Sequence, residues 1–155
     1  MSIQIRKVSS KKELKTFVRF ANRLYKGNKY YVPSMPMDDM NTFTPEKNGA
    51  FDFSEAELYL AYKGDEVVGR VAAIINHKAN EAWKVKQVRF GWIDFIDDLE
   101  VSKALLDAVV AFGKARGMEQ VVGPLGFPDF DPEGMLVEGF DRLSTMALIY
   151  NHPYY

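Results

Sequence analysis

QVRFGWIDFIDDLEVSKALLDAVVAFGKARGMEQVVGPLGF, residues 87–127, decides how this chain folds. The β-rich run QVRFGWIDF comes first and the acidic turn IDDLE follows it. Val101, Ala104, Leu105, Ala108, Val109 and Phe112 then recur at three- and four-residue steps, and MEQVVG ends the segment. This pattern predicts a strand, a helix and a second strand, the βαβ unit of a parallel pair. Asp97 or Asp98 is the expected N-cap and Gly117 the C-terminal stop. A helix start after a strand binds anions when its N–H groups are free. Here Asp97, Asp98 and Glu100 crowd that position. Carboxylates placed there satisfy the helix's own donors and complement its dipole by roughly 0.3–1 kcal/mol. The scaffold implies a ligand site, while its usual anchor is unsuited to a phosphate.

Upstream, residues 3–8 alternate apolar and polar side chains, as a half-buried strand does. Ser10 and Glu13 form a capping box, and Leu14, Phe17, Val18, Ala21, Leu24 and Tyr25 give one apolar face to a helix over residues 11–26, with Gly27 as its stop. Residues 28–54 break the pattern with Pro33, Pro36, Pro45 and Asn48-Gly49. A connection of this length reads either as a lid or binding loop, or as a wrap over the sheet. Residues 57–62 and 66–75 form an antiparallel hairpin turned by Lys63-Gly64-Asp65. The polar stretch 76–84 reads as a connecting loop bearing His77, Asn80 and Glu81, and a third long strand covers residues 86–95. Residues 120–123 make a short strand that GPLGFP must end, since two prolines and two glycines cannot continue a ladder. A loop follows, with a last strand expected at residues 146–150.

With 155 residues, 47% hydrophobic and 26% charged, the chain reads as a single domain over residues 1–155. Twenty basic and twenty-one acidic residues leave a net charge of -1, so no global field draws it to nucleic acid or to an anionic membrane. The absence of cysteine removes disulfides, thiolate zinc sites and a cysteine nucleophile, and fits a cytoplasmic setting. MSIQIRKVSSKKEL lacks the apolar core of a signal peptide, and no apolar run approaches the roughly 20 residues of a membrane span. Asp129, Asp131 and Glu133 alternate like calcium ligands, without the glycine and glutamate that complete such a loop, so no metal is expected. Ser144 sits in no nucleophile elbow, and the glycines near 123–126 precede no Gly-Lys-Ser/Thr. The ending NHPYY reads as the approach to another packed element, so the chain looks like a fragment or packs its end on a partner.

The order strand, helix, long loop, hairpin, long strand, helix, strand resembles the GCN5-related N-acetyltransferase (GNAT) fold. More narrowly, GRVAAIINHKANE (69–81), VRFGWIDFIDD (88–98), GPLGFPDFDPEGMLVEGF (123–140) and YNHPYY (150–155) resemble a family of bacterial acetyltransferase-like proteins that are longer than this chain. By that resemblance these residues are the N-terminal part of such a protein. It implies a mixed α/β fold with a central, mostly antiparallel sheet flanked by helices, and acyl-CoA as cosubstrate. The cleft would be bordered by Trp92, Ile93, Asp94 and Phe95 on one strand and by Gly123, Pro124 and Phe127 beyond the next. The fold's pyrophosphate loop carries Arg/Gln-x-x-Gly-x-Gly/Ala, whereas this chain has Ile96-Asp97-Asp98-Leu99-Glu100-Val101. A carboxylate about 4 Å from a phosphate repels it by roughly 1 kcal/mol in water and about 4 kcal/mol at an effective dielectric of 20. Micromolar binding is worth only about 8 kcal/mol.

Acyl transfer to an amine needs a base for the ammonium proton and an acid for the leaving thiolate. Tyr150 is the candidate acid, and His77 with Glu81 the candidate base pair. Against these stand a buried aromatic with a bonded hydroxyl and two solvated loop residues. The resulting reading is an acyl-CoA-dependent N-acyltransferase acting on a small-molecule or lipid amine. Its rival is a non-catalytic GNAT-fold binding domain with a degenerate pyrophosphate site, and the glycine-hinged segment 123–140 adds a site for a long-chain or carrier-bound acyl group. The partners implied are a second copy of the chain or the rest of a longer one.

Overall fold

Residues 66–76 are apolar almost throughout, the pattern of a strand covered on both faces. In the computed structural model, which describes residues 2–145 and 148–155, they form the central strand of a five-stranded sheet. The strands are β1 (Ile3–Lys7), β2 (Ser54–Lys63), β3 (Glu66–Asn76), β4 (Gln87–Phe95) and β5 (Gln120–Val122), in that spatial order. The first four run antiparallel to their neighbours, and β4 and β5 are parallel. The fold is therefore the mixed, mostly antiparallel α/β arrangement that the sequence implies.

Each face of β3 supports its own core. Val71, Ala73 and Ile75 meet Val101, Leu105, Val109 and Phe112 of helix α4 (Leu99–Lys114) on one side. Ala72 and Ile74 meet Phe17, Val18 and Phe20 of α1 (Lys11–Leu24) on the other. Each of the valine, leucine, isoleucine and phenylalanine side chains contributes roughly 1.5–3 kcal/mol when fully buried. Close approach of α4 depends on Gly113, where a Cβ would lie 2.6 Å from Val88 Cγ1. The capping box at α1 forms as expected: Ser10 accepts from the Glu13 N–H while Glu13 accepts from the Ser10 N–H. Asp98 caps α4, and Gly27 and Gly117 turn the chain after α1 and α4 with φ of +87° and +74°.

The structure departs from the sequence reading at residues 77–83 and 146–150, and gives residues 28–54 the wrap over the sheet with short helical turns. Residues read as a connecting loop contain helix α3 (His77–Trp83), capped by Asn76, which accepts from the Ala79 N–H, and ended by Lys84 at φ +55°. This helix buries none of its residues, so it leaves no apolar stripe for sequence reading to detect. In residues 28–54 the chain forms α2 (Pro36–Thr42) and two short 3₁₀ turns, and it covers the α1 face of the sheet through Phe43 and Phe51. Of the strand expected at 146–150, Met146 and Ala147 lie outside the described residues; Leu148 makes one isolated bridge to Glu133, and Ile149 and Tyr150 are in no strand.

A buried polar network ties the last residues to the sheet. Arg70 of β3 and Asp94 of β4 pair at 2.8 Å with side chains 5% and 9% exposed. Arg70 also donates to the Phe17 carbonyl of α1 at 2.9 Å. The second Asp94 oxygen accepts from the Tyr25 hydroxyl, which is bonded in turn to the Tyr155 hydroxyl. Tyr155 stacks on Phe95 at 4.2 Å and accepts from its N–H, while Tyr154 donates to the Phe95 carbonyl. Replacing Arg70 by Met strands a buried carboxylate. We expect R70M to lose about 3–5 kcal/mol of unfolding free energy and the double variant R70M/D94L to recover most of it. Urea denaturation measures both, and equal losses in the two variants would show that the pair is not held at charge cost.

Candidate functional site

The site is built on an irregularity of β4. Arg70 lies opposite Asp94 and Ala72 opposite Gly91, so Val71 alone faces the two residues Trp92 and Ile93. This is a β-bulge, in which the extra residue leaves the ladder and re-aims its neighbours. Trp92 takes φ +45°, a left-handed conformation that costs a non-glycine residue on the order of 1–2 kcal/mol. The indole packs edge-on to Phe43 at 4.7 Å and lies 6.3 Å from Phe127, contacts that hold the conformation in place. Gly91 allows the next segment to cross here, since a Cβ would sit 2.5 Å from the Leu125 carbonyl oxygen.

Above the bulge lies a cavity of about 480 Å³, within the usual range of small-ligand pockets. Trp92, Ile93 and Asp94 form its floor. Tyr31 and Ser34, from the segment between α1 and α2, and Asp39 of α2 make one wall. Pro124, Met135, Tyr150 and Asn151 make the other. Apolar groups exposed to solvent mark its mouth, with Val32 54% and Leu148 62% accessible.

The charges in this cavity are unequal. Arg70 and Asp94 neutralise each other. Asp39 accepts from Ser34 Oγ at 2.8 Å, and burial pushes its carboxyl above the ordinary aspartate value. Among the described residues no lysine or arginine pairs with Asp39. Burial also raises the phenols of Tyr25, Tyr31 and Tyr155, and that of Tyr154 to about 12, so these hydroxyls stay protonated. The His152 imidazole is pushed down by burial and remains neutral near pH 7.

Of the residues singled out in the sequence, Trp92, Ile93, Asp94, Pro124 and Tyr150 line this cavity. The other three bordering residues lie outside it. Phe95 packs under Tyr155, Gly123 sits so close to Phe90 that a Cβ would come within 2.3 Å of its carbonyl oxygen, and Phe127 is fully buried. The Tyr150 hydroxyl accepts from Asn28 Nδ2 at 2.6 Å, and its ring lies edge-on to Tyr25. His77 and Glu81 belong to α3, beyond the far end of β3. Seven residue steps along the strand separate His77 from Arg70, about 23 Å at roughly 3.3 Å per step. His77 pairs instead with Glu55 at the surface. No local motif links Asp39, Arg70 and Tyr31, so sequence reading does not find them; the one signal it offers is an arginine inside the largely apolar run 66–76.

The acidic turn is oriented toward its own helix. Asp98 accepts from the Glu100 N–H at 3.0 Å and pairs with Lys63 at 3.1 Å, and these partners hold its carboxyl below the ordinary value. Asp97 and Glu100 are exposed beside it. Among the described residues no cluster of three or more metal-ligating side chains occurs, and no helix is long and apolar enough to cross a membrane.

No family model matches the chain. Protein YghO of Escherichia coli (strain K12) is 30% identical over 151 residues, and a bacterial ceramide synthase of Caulobacter vibrioides (strain NA1000 / CB15N) is 32% identical over 149. The matches cover 97% and 96% of this chain, which spans 38% of the length of each relative. Among solved structures, an acetyltransferase from Clostridium acetobutylicum with acetyl-CoA aligns at TM-score 0.56 and 12% identity, over 80% of this chain and 81% of that one. A tandem GNAT protein from the clavulanic acid pathway aligns at TM-score 0.56 and 10% identity, over 74% of this chain and 34% of that one. An aminoglycoside acetyltransferase from a soil metagenome, in complex with sisomicin, aligns at 0.54 and 12%, over 77% and 75%. The five-stranded, mostly antiparallel sheet flanked by helices thus has the fold of the GCN5-related N-acetyltransferases.

Proposed function

We propose that this chain carries the acceptor end of an acyl-CoA-dependent N-acyltransferase that works on an aliphatic amine in the cytoplasm. The observation that carries this reading is the cavity over the β4 bulge with its apolar mouth at Val32 and Leu148. In such a transfer the amine nitrogen attacks the thioester carbonyl, the C–S bond breaks, and the CoA thiolate leaves and gains a proton. Backbone freed from the ladder at Trp92 and Ile93 suits polarisation of the thioester oxygen. Tyr150, in the cavity wall, suits protonation of the thiolate. The relative named bacterial ceramide synthase supports a long-chain amine, since a ceramide is the amide of a long-chain amino alcohol. His77 and Glu81 receive no role in the transfer.

A non-catalytic binding domain is the second reading, favoured by Asp97, Asp98 and Glu100 at the position where the fold holds a pyrophosphate. Titration of Trp92 fluorescence with palmitoyl-CoA, followed by mass spectrometry of a reaction with sphinganine, separates the two. Saturable quenching and an N-palmitoyl product are expected, and Y150F should lower kcat by a factor on the order of 100 with little change in KM. Binding without product would favour the second reading. Removing one charge of the acidic turn with D97N should tighten palmitoyl-CoA binding by about fivefold at low salt, the equivalent of roughly 1 kcal/mol. That gain should fade as salt screens it; an unchanged affinity at low salt would place the phosphates elsewhere.

A further inference from the structure

We propose that Asp39 receives the acceptor: its carboxylate binds the ammonium group of the incoming amine and takes the proton that nitrogen must lose before it attacks. The proposal rests on the N-acyltransferase reading for its second step and on the cavity alone for its first.

Two aspartates line the cavity, and only one lacks a cationic partner. Both oxygens of Asp94 are committed, one to Tyr25 and the other to Arg70. Asp39 accepts from the Ser34 hydroxyl and feels the Trp92 indole N–H and the more distant Arg70 charge, but no cationic side chain pairs with it among the described residues. With Arg70 and Asp94 cancelling, the cavity carries one carboxylate in excess and favours a cation. A desolvated carboxylate without a partner is costly, and a charge-assisted bond from an ammonium group offsets that cost. Tyr31 and Trp92 line the same space, and aromatic rings attract ammonium groups.

The carboxylate is also held in position. Asn22 of α1 accepts from the Tyr31 hydroxyl at 2.6 Å and the Ser34 N–H at 3.2 Å, and donates to the Ser34 carbonyl at 3.0 Å. This clamp fixes residues 31–34 against α1 and aims the Ser34 hydroxyl at Asp39. Burial pushes the Asp39 carboxyl upward, toward better proton acceptance. In the step itself a proton passes from nitrogen to Asp39, the nitrogen lone pair forms the C–N bond, and the C–S bond of acyl-CoA breaks. Asp39 passes this proton to water, and the second proton that the nitrogen sheds as the amide forms balances the one that the departing thiolate takes through Tyr150.

The test compares octylammonium with 1-octanol, a neutral ligand of similar shape, by Trp92 fluorescence on the full chain. Wild type should prefer the charged ligand by about tenfold or more, and D39N should bring the two affinities together through loss of octylammonium binding alone. Unchanged octanol affinity shows that D39N is folded. S34A, which frees the carboxylate, should reduce the preference by a smaller factor and serves if D39N does not fold. A preference that survives in D39N, or no preference in wild type, overturns the proposal. D39N should also form no N-acyl product from palmitoyl-CoA and sphinganine while still binding palmitoyl-CoA. If wild type forms none either, while its preference for octylammonium depends on Asp39, the transfer reading fails and the ammonium site stands.

Discussion

The buried pair between Arg70 and Asp94 is the constraint on which the rest of the structure depends. Two charges removed from water are tolerated only when every donor and acceptor around them is engaged. Here the guanidinium reaches Asp94 and the Phe17 carbonyl, and the carboxylate reaches Arg70 and Tyr25. One ion pair therefore joins β3, β4 and α1. Tyr25 passes the connection to Tyr155, so the final residues of the chain are held to the same point. The network also closes one end of the cavity, which makes stability and site geometry parts of one arrangement.

Strain and opening coincide at β4. The bulge places Trp92 in a left-handed conformation, and the aromatic packing of Phe43 and Phe127 keeps it there. A regular strand would have covered that stretch of backbone with ladder bonds and left no floor for a cavity. The segment between α1 and β2 completes the cavity: Phe43 and Phe51 anchor it to the sheet, and Tyr31, Ser34 and Asp39 line the space. The wrap reading of that segment holds at Phe43 and Phe51, while Tyr31, Ser34 and Asp39 of the same stretch line the cavity.

The acidic turn before α4 shows how one feature serves two needs. Asp98 satisfies the helix start and pairs with Lys63, so its charge is largely spent within the protein. Asp97 and Glu100 remain exposed at the same end. The helix has its anion built in, and any phosphate brought there meets carboxylates rather than free N–H groups.

Local chemistry made much of the fold legible. The Ser10–Glu13 box, the apolar stripes of α1 and α4, the hairpin at Gly64 and the stop at Gly117 are signals confined to neighbouring residues, and the sequence alone determined these elements and the strand–helix–strand order around α4. Helix α3 escaped because it buries nothing, and the Trp92 bulge because no residue type demands it. The cavity was decided by tertiary structure. Arg70 and Asp94 are 24 positions apart, Tyr25 and Asp94 are 69 apart, and Tyr25 and Tyr155 are 130 apart. Periodicity records which face of an element is apolar, but not which distant polar side chain will meet another once both are out of water; only the packing of β3, β4, α1 and the last residues around a single buried charge pair settles that.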